Sequence, residues 1–164
     1  MFKCLIPDMY VKSISDIDIN KLKSMGFSAV ISDLDNTLDS HETSVPSPEV
    51  IEFLDSLKNN GLSVCIISNG KHERVKKYLE NLDIPYVAKA GKPLKSGYLK
   101  ALEFLKCETK DAVFIGDQIF TDVFGAKRVG ITSVLVDPIE QFENPFFYIK
   151  RTLEKFVKAK IPKE

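Results

Sequence analysis

Short, continuous apolar runs rich in Val and Ile alternate along this chain with longer stretches in which apolar residues recur every three or four positions. Runs of the first kind lie at 27–32 (FSAVIS), 62–67 (LSVCII), 84–88 (IPYVA), 112–115 (AVFI) and 131–136 (ITSVLV). They predict buried strands, because a strand covered on both faces carries apolar side chains without alternation. Between the first two, Val50, Ile51, Phe53, Leu54 and Leu57 form the stripe of an amphipathic helix, with Ser47 as N-cap, Pro48 at the first helical position and Gly61 at the end. A second helix is predicted from about Glu73 to Asn81 with Val75, Tyr78, Leu79 and Leu82 turned inward. A third is marked by Tyr98, Leu99, Leu102 and Leu105, and a fourth stops at Gly130. Ahead of the first strand, Asp16 or Asp18 caps a short helix carrying Ile19, Leu22 and Met25, which Gly26 ends.

Strands alternating with helices imply right-handed crossovers and an α/β fold: a mainly parallel sheet of about five strands between two helical layers. The length suits one domain over 1–164. It divides into an apolar N-terminal arm and short helix (1–26), a core (27–136) and a C-terminal segment (145–164). The arm, MFKCLIPDMYV, reads as an extended stretch packed on the domain or lying on a surface.

With 44% hydrophobic and 28% charged residues the chain is an ordinary globular protein. Lys plus Arg equals Asp plus Glu at 23 each, so no global field favours nucleic acid as a partner. Cys4, Cys65 and Cys107 contain no Cys-x-x-Cys pair and read as reduced thiols rather than a metal cluster. No apolar segment approaches the roughly 18 residues that span a bilayer, and no signal-peptide pattern opens the chain, so the expected location is the cytoplasm.

The informative polar residues follow the strands. Asp33, Asp35 and Thr37 follow the first, Ser68 and Asn69 the second, Lys92 the third, and Asp117 and Asp122 the fourth. In a parallel sheet these positions converge on one crevice at the carboxyl ends of the strands. Two carboxylates one residue apart at a strand exit cannot both be buried unpaired, and a hard cation such as magnesium is the natural remedy. Each piece also has a plainer reading. Asp33 and Asp35 are common turn formers, Ser68-Asn69-Gly70 is an ordinary turn, Lys92 suits a solvated loop, and Asp117 and Asp122 suit a helix N-terminus. His41 and His72 read as surface histidines, although His72 and Arg74 follow the second cluster closely enough to touch a ligand.

Taken together, DLDNTL at 33–38, an apolar strand ending in Ser68, Lys92 before Pro93 and GDQIFTD at 116–122 resemble the four ordered motifs of haloacid-dehalogenase (HAD) superfamily phosphatases. LIPDMYVKSI, SNGKHERV, KPL and GDQIFTDVFGAKR narrow the likeness to the small YqeG-type subfamily and its relatives, the mitochondrial-type phosphatidylglycerophosphate phosphatases. The resemblance implies a Rossmann-like three-layer sandwich. It further implies Asp33 as nucleophile forming an aspartyl-phosphate and Asp35 as general acid and then base. Magnesium would be held by Asp33, the backbone carbonyl of Asp35 and Asp117. Ser68 and Lys92 would bind the phosphoryl group with backbone N–H groups near Leu34 and Asn69. Asp122 would orient Lys92 or a metal-bound water, and Thr37 would fix the turn.

Substrate choice in that superfamily is set largely by a cap inserted after the first or second motif. Here both intervals are too short for a cap domain. An open crevice suits a phosphate carried on something large, such as a membrane phospholipid, or a cap borrowed from a neighbouring subunit in an oligomer. Two other readings stay open: a phosphatase for a soluble sugar phosphate or nucleotide, and a non-catalytic module that senses phosphate or metal. Between Lys150 and Glu164, six Lys or Arg residues face two acids and interleave with apolar residues. That pattern predicts a basic amphipathic helix, which either packs its aromatic face onto the sheet or rests on an anionic bilayer at the inner face of the membrane.

Overall fold

A computed structural model describes residues 2–140 together with 155 and 159. After a 3-10 turn at Phe2–Leu5, the elements in chain order are Met9–Tyr10 (β1), Ile19–Ser24 (α1), Ala29–Ser32 (β2), Pro48–Asn59 (α2), Ser63–Ile67 (β3), His72–Leu79 (α3), Tyr86–Val87 (β4), Lys95–Leu105 (α4), Ala112–Gly116 (β5), Phe124–Val129 (α5) and Thr132–Leu135 (β6). A π-helical turn at Ile119–Val123 leads into α5. The helix boundaries follow local chemistry. The Asp18 carboxylate accepts the Lys21 N–H at 3.0 Å and so starts α1, while Ser47 caps α2 ahead of Pro48. Gly26, with φ of 92°, supplies the left-handed residue that turns the chain from α1 into β2.

All strands are parallel, in the order β1-β6-β5-β2-β3-β4. Six strands stand where the apolar runs predicted about five, because the N-terminal arm contributes one. Two residues are too few to show a strand period, but Met9 and Tyr10 pair with Val134 and Leu135. Asp8 fixes them there: its carboxylate accepts the Ser133 N–H at 2.8 Å and hydroxyl at 3.0 Å and pairs with Lys127.

Side chains along the central strands divide between two cores, as the two-residue strand period requires. Val30, Val64, Ile66, Val113 and Ile115 pack with Leu22, Leu54, Leu57, Val75 and Leu79, placing α1, α2 and α3 on one face. Ile31, Cys65, Ile67 and Phe114 pack with Tyr98, Ala101, Leu102 and Ala126, placing α4 and α5 on the other. The three-layer sandwich is therefore the predicted one. Between β2 and β3 there is one loop and one helix, and between β3 and β4 one helix, so among the described residues no cap domain stands over the strand tips.

β2 lies between β3 and β5, where successive connections run to opposite sides of the sheet. In an open parallel sheet such a switch point opens a crevice beyond the carboxyl ends of the strands. The predicted amphipathic helix at 145–164 lies outside the described residues, apart from 155 and 159. Among the described residues no helix is long and apolar enough to cross a membrane.

Candidate active site

Strand register assembles the site. Ser32 is level with Ile66 on one side and Ile115 on the other. Asp33 therefore leaves the sheet one residue beyond that line, and Ser68 and Asp117 two residues beyond it. Asp33 stays tied to the sheet by its N–H, which donates to the Ile115 carbonyl at 2.9 Å. The chain then turns sharply through Asn36, whose φ of 64° lies in the left-handed region that Asn tolerates better than most residues. That turn returns the Thr37 hydroxyl to Asp33 Oδ2, at 3.1 Å, and to Asp117 Oδ1, at 3.4 Å.

Lys92 enters from the loop after β4. Its backbone is clamped by the Asn69 side chain, which accepts the Lys92 N–H at 2.8 Å and donates to the Lys92 carbonyl at 3.2 Å. Asn69 thus spends its side chain on positioning the lysine. The Lys92 ammonium donates to Asp33 Oδ1 at 2.5 Å and to Asp122 Oδ1 at 2.7 Å, with its nitrogen 5.8 Å from the centre of the Phe114 ring. Asp122 is fixed in turn by the Gln118 N–H at 2.9 Å. Gly116 makes room for it, since a Cβ there would stand 2.5 Å from the Asp122 Cβ.

Asp33, Asp117 and Asp122 are buried, and each brings a carboxylate oxygen within 4.8 Å of the others. The Lys92 ammonium meets two of them, Asp33 and Asp122, and the charges gathered here show in the titration of Asp33. Burial pushes the Asp33 carboxyl up to about 8; Lys92 pulls it down, while Asp122 and Asp117 push it up again. Burial alone would lower Lys92, but the charges of Asp122 and Asp33 outweigh it and hold the ammonium protonated. An all-oxygen donor set fits a hard divalent cation, whose charge would favour the ionised form of Asp33.

Asp35 faces away from that group. One oxygen lies 2.6 Å from an Arg74 amine and 3.3 Å from His41 Nδ1, and the other accepts the Ser68 hydroxyl at 3.3 Å. Arg74 also donates to the His41 carbonyl, at 2.6 Å from Nη2 and 3.2 Å from Nε. One helical turn further along α3, the Tyr78 hydroxyl donates to Asp39 at 2.5 Å, and Asp39 accepts the Ser47 N–H at 2.9 Å. Arg74 and Tyr78 therefore pin the 36–47 loop to α3. His41, expected as a surface histidine, is more than half exposed yet lies against Asp35.

The structure thus brings Asp33, Thr37, Lys92, Asp117 and Asp122 into one buried group, with the partly exposed Asp35 and the buried Ser68 paired beside it and Asn69 bonded to the Lys92 backbone. The Arg74–Asp35 pair and the Tyr78–Asp39 bond were not legible in the sequence. The spacing of Arg74 and Tyr78 by four puts both on one face of α3, but nothing in the sequence of the 36–47 loop says that it lies against that face.

Comparison with known proteins gives consistent matches. A family model described as haloacid dehalogenase-like hydrolase matches residues 12–130. A Bacillus subtilis protein named "Probable phosphatase YqeG" is 36% identical over 153 residues, covering 93% of this chain and 89% of that one. The Arabidopsis thaliana protein "Phosphatidylglycerophosphate phosphatase 1, chloroplastic/mitochondrial" is 27% identical over 87% of this chain, which spans 43% of that protein. Among solved structures, a HAD phosphatase from Thermococcus onnurineus shares the fold with a TM-score of 0.58 at 19% identity, over 72% of this chain and 90% of that one.

Proposed function

The chain belongs to the haloacid dehalogenase-like hydrolases, and from that premise we propose that it is a Mg2+-dependent phosphomonoesterase that acts through a phosphoaspartate on Asp33, with phosphatidylglycerophosphate as its substrate. The observation that carries the proposal is the buried group of three carboxylates, two of them paired with the Lys92 ammonium, with a fourth carboxylate, Asp35, beside it. Three acids that each bring an oxygen within 4.8 Å of the others at a buried strand exit are the donor set a hard cation takes.

In the proposed reaction an Asp33 carboxylate oxygen bonds to phosphorus as the bond from phosphorus to the leaving oxygen breaks, and Asp35 gives that oxygen a proton. Asp35 then takes a proton from water as the water oxygen attacks the phosphoaspartate, releasing inorganic phosphate and restoring Asp33. The Ser68 hydroxyl and Lys92 ammonium hold phosphoryl oxygens, Asp122 and Asn69 hold Lys92, and Thr37 holds Asp33. Mg2+, held by Asp33, Asp117 and the backbone carbonyl of Asp35, supplies the positive charge that lets an anionic nucleophile approach an anionic phosphate. The uncapped crevice and the name of the Arabidopsis relative support a phosphate carried on a lipid headgroup. Such a substrate meets the enzyme at a bilayer, so peripheral contact with anionic lipid belongs to the same proposal.

The test is phosphate release by the full chain with Mg2+ from p-nitrophenyl phosphate, from phosphatidylglycerophosphate in vesicles, and from soluble sugar phosphates and nucleotides. The lipid is expected to be preferred in kcat/KM by about 100-fold or more, roughly 2.7 kcal/mol of transition-state binding. Equal or better turnover of a soluble compound would remove the lipid assignment. No release from any of them would remove the hydrolase reading.

A pH-dependent metal effect follows from Asp33. Its folded carboxyl titrates near 8 against an ordinary 3.8, so without metal the folded state loses stability as pH rises from about 4 and bears the full penalty above 8. A cation that needs Asp33 ionised competes with the proton below 8. Millimolar Mg2+ is therefore expected to raise the melting midpoint by about 5 °C at pH 8.5 and by much less at pH 6. A midpoint shift that shrinks with rising pH contradicts the site.

A further inference from the structure

Arg74 is the cation nearest to Asp35, and the reading above makes Asp35 the group that meets the departing oxygen. Whatever is attached to that oxygen must pass beside the guanidinium. Arg74 is about one quarter exposed, as Asp35 is, and its Nη1 atom is buried and has no acceptor. A buried donor without an acceptor is unfavourable, and an oxygen from a ligand would satisfy it.

The surroundings of Arg74 are basic as well. Lys71, His72 and Lys89 are exposed, and the Lys89 N–H donates to the Gly70 carbonyl at 3.0 Å, which brings the end of β4 beside the start of α3. Glu73 reports the resulting field. Its carboxyl is held below the ordinary value first by its own backbone N–H and then by the charges of Lys89, His72 and Lys71.

We propose that Arg74, with Lys71 and Lys89 on the rim beside it, forms an anion subsite for the leaving part of the substrate, so that preferred substrates carry a phosphodiester close to the phosphate that is removed. The inference rests on the phosphomonoesterase reading and adds to it what the site recognises beyond the reacting phosphate. A guanidinium suits this role because it stays charged and, with Nη2 and Nε held by His41 and Asp35, still has Nη1 to donate to a phosphate oxygen.

The test compares two soluble compounds with Mg2+ present: glycerol phosphate, and glycerophosphoglycerol phosphate, which is the same ester extended by a phosphodiester and has no acyl chains. The full-length enzyme is expected to favour the second in kcat/KM by about 30-fold, the size of one or two charge-assisted hydrogen bonds. In Arg74→Gln that preference is expected to fall to about threefold, chiefly through KM, and Arg74→Lys should keep part of it. If Arg74→Gln slows both compounds by the same factor, Arg74 only positions Asp35 and the subsite is overturned. If that variant does not fold, Lys71→Gln combined with Lys89→Gln decides, since both residues are exposed: the preference should drop about fivefold, and an unchanged ratio overturns the subsite. Equal turnover of the two compounds by the unmodified enzyme, with p-nitrophenyl phosphate still hydrolysed, defeats this inference alone. Failure to hydrolyse p-nitrophenyl phosphate defeats the phosphatase reading beneath it.

Discussion

Asp33→Asn is expected to reduce phosphate release by about 10^4-fold or more while leaving the metal-free protein at least as stable as its parent. The two halves of this expectation come from one feature. Asp33 lies where a nucleophile is needed, and an amide oxygen does not form the phosphoaspartate, so the two-step route is closed. Yet the same carboxyl is buried close to Asp117 and Asp122, with the Lys92 ammonium against it. Burial lifts its titration to about 8, which means its ionised form costs the fold free energy at neutral pH. Asn keeps the shape, an oxygen for the Lys92 ammonium and an amide N–H that the Thr37 hydroxyl can accept, while removing that cost. A substitution that lowers turnover and raises the melting midpoint in EDTA is the signature of a site built for chemistry rather than for stability.

Quenching the reaction with acid separates the roles of the two strand-exit acids. With phosphorus-labelled substrate, the parent enzyme should carry a small amount of protein-bound, hydroxylamine-labile phosphate, and Asp33→Asn none. Asp35→Asn should carry more than the parent, because water is then no longer activated against the phosphoaspartate. Label on the Asp33→Asn protein would place the nucleophile elsewhere.

Much of this was readable from the chain because the dominant signals are local. Continuous apolar runs at 27–32 and 112–115 become β2 and β5, and their polar exits, Asp33 and Asp117, have nowhere to go but the tips of neighbouring parallel strands. The fold class followed from the same alternation. What the sequence did not disclose depends on contacts without a period. β1 has two residues, and its place in the sheet rests on Asp8 meeting Ser133, 125 positions away. The turn of Asp35 toward Arg74 and His41 depends on the path of the 36–47 loop, which no pattern in its polar residues specifies. Asn69 shows the same limit: the sequence offered its backbone N–H as a phosphate donor but gave no sign that its side chain clamps the Lys92 backbone.

Lys92→Met tests the electrostatic account from the opposite side, and its expected effect on stability is the largest of any single substitution at the site. Met preserves much of the chain length and the apolar contact with Phe114, so packing changes little. The charge change is severe. Asp33 and Asp122 both lose the ammonium that lies 2.5 and 2.7 Å from them, and removing one partner from a buried ionic cluster costs about 3–5 kcal/mol. The sign of its pH dependence is fixed by Asp33. Lys92 is the charge that pulls the Asp33 carboxyl down against burial, so without it the folded carboxyl titrates higher still. The added penalty is small near pH 5, where Asp33 is protonated in the folded state with or without lysine, and grows through neutral pH toward pH 9. Chemical denaturation of parent and variant in EDTA should therefore give curves that lie closer at pH 5, where the loss of the pair with Asp122 remains, and separate further at pH 8.5, with Mg2+ recovering part of the loss at the higher pH. Turnover should fall about 10^2- to 10^3-fold even with metal, since a point charge on the phosphoryl oxygens is gone. A loss of stability equal at both pH values would mean that Lys92 serves the fold by packing, and that the three carboxylates are not the strained cluster on which the proposed chemistry depends.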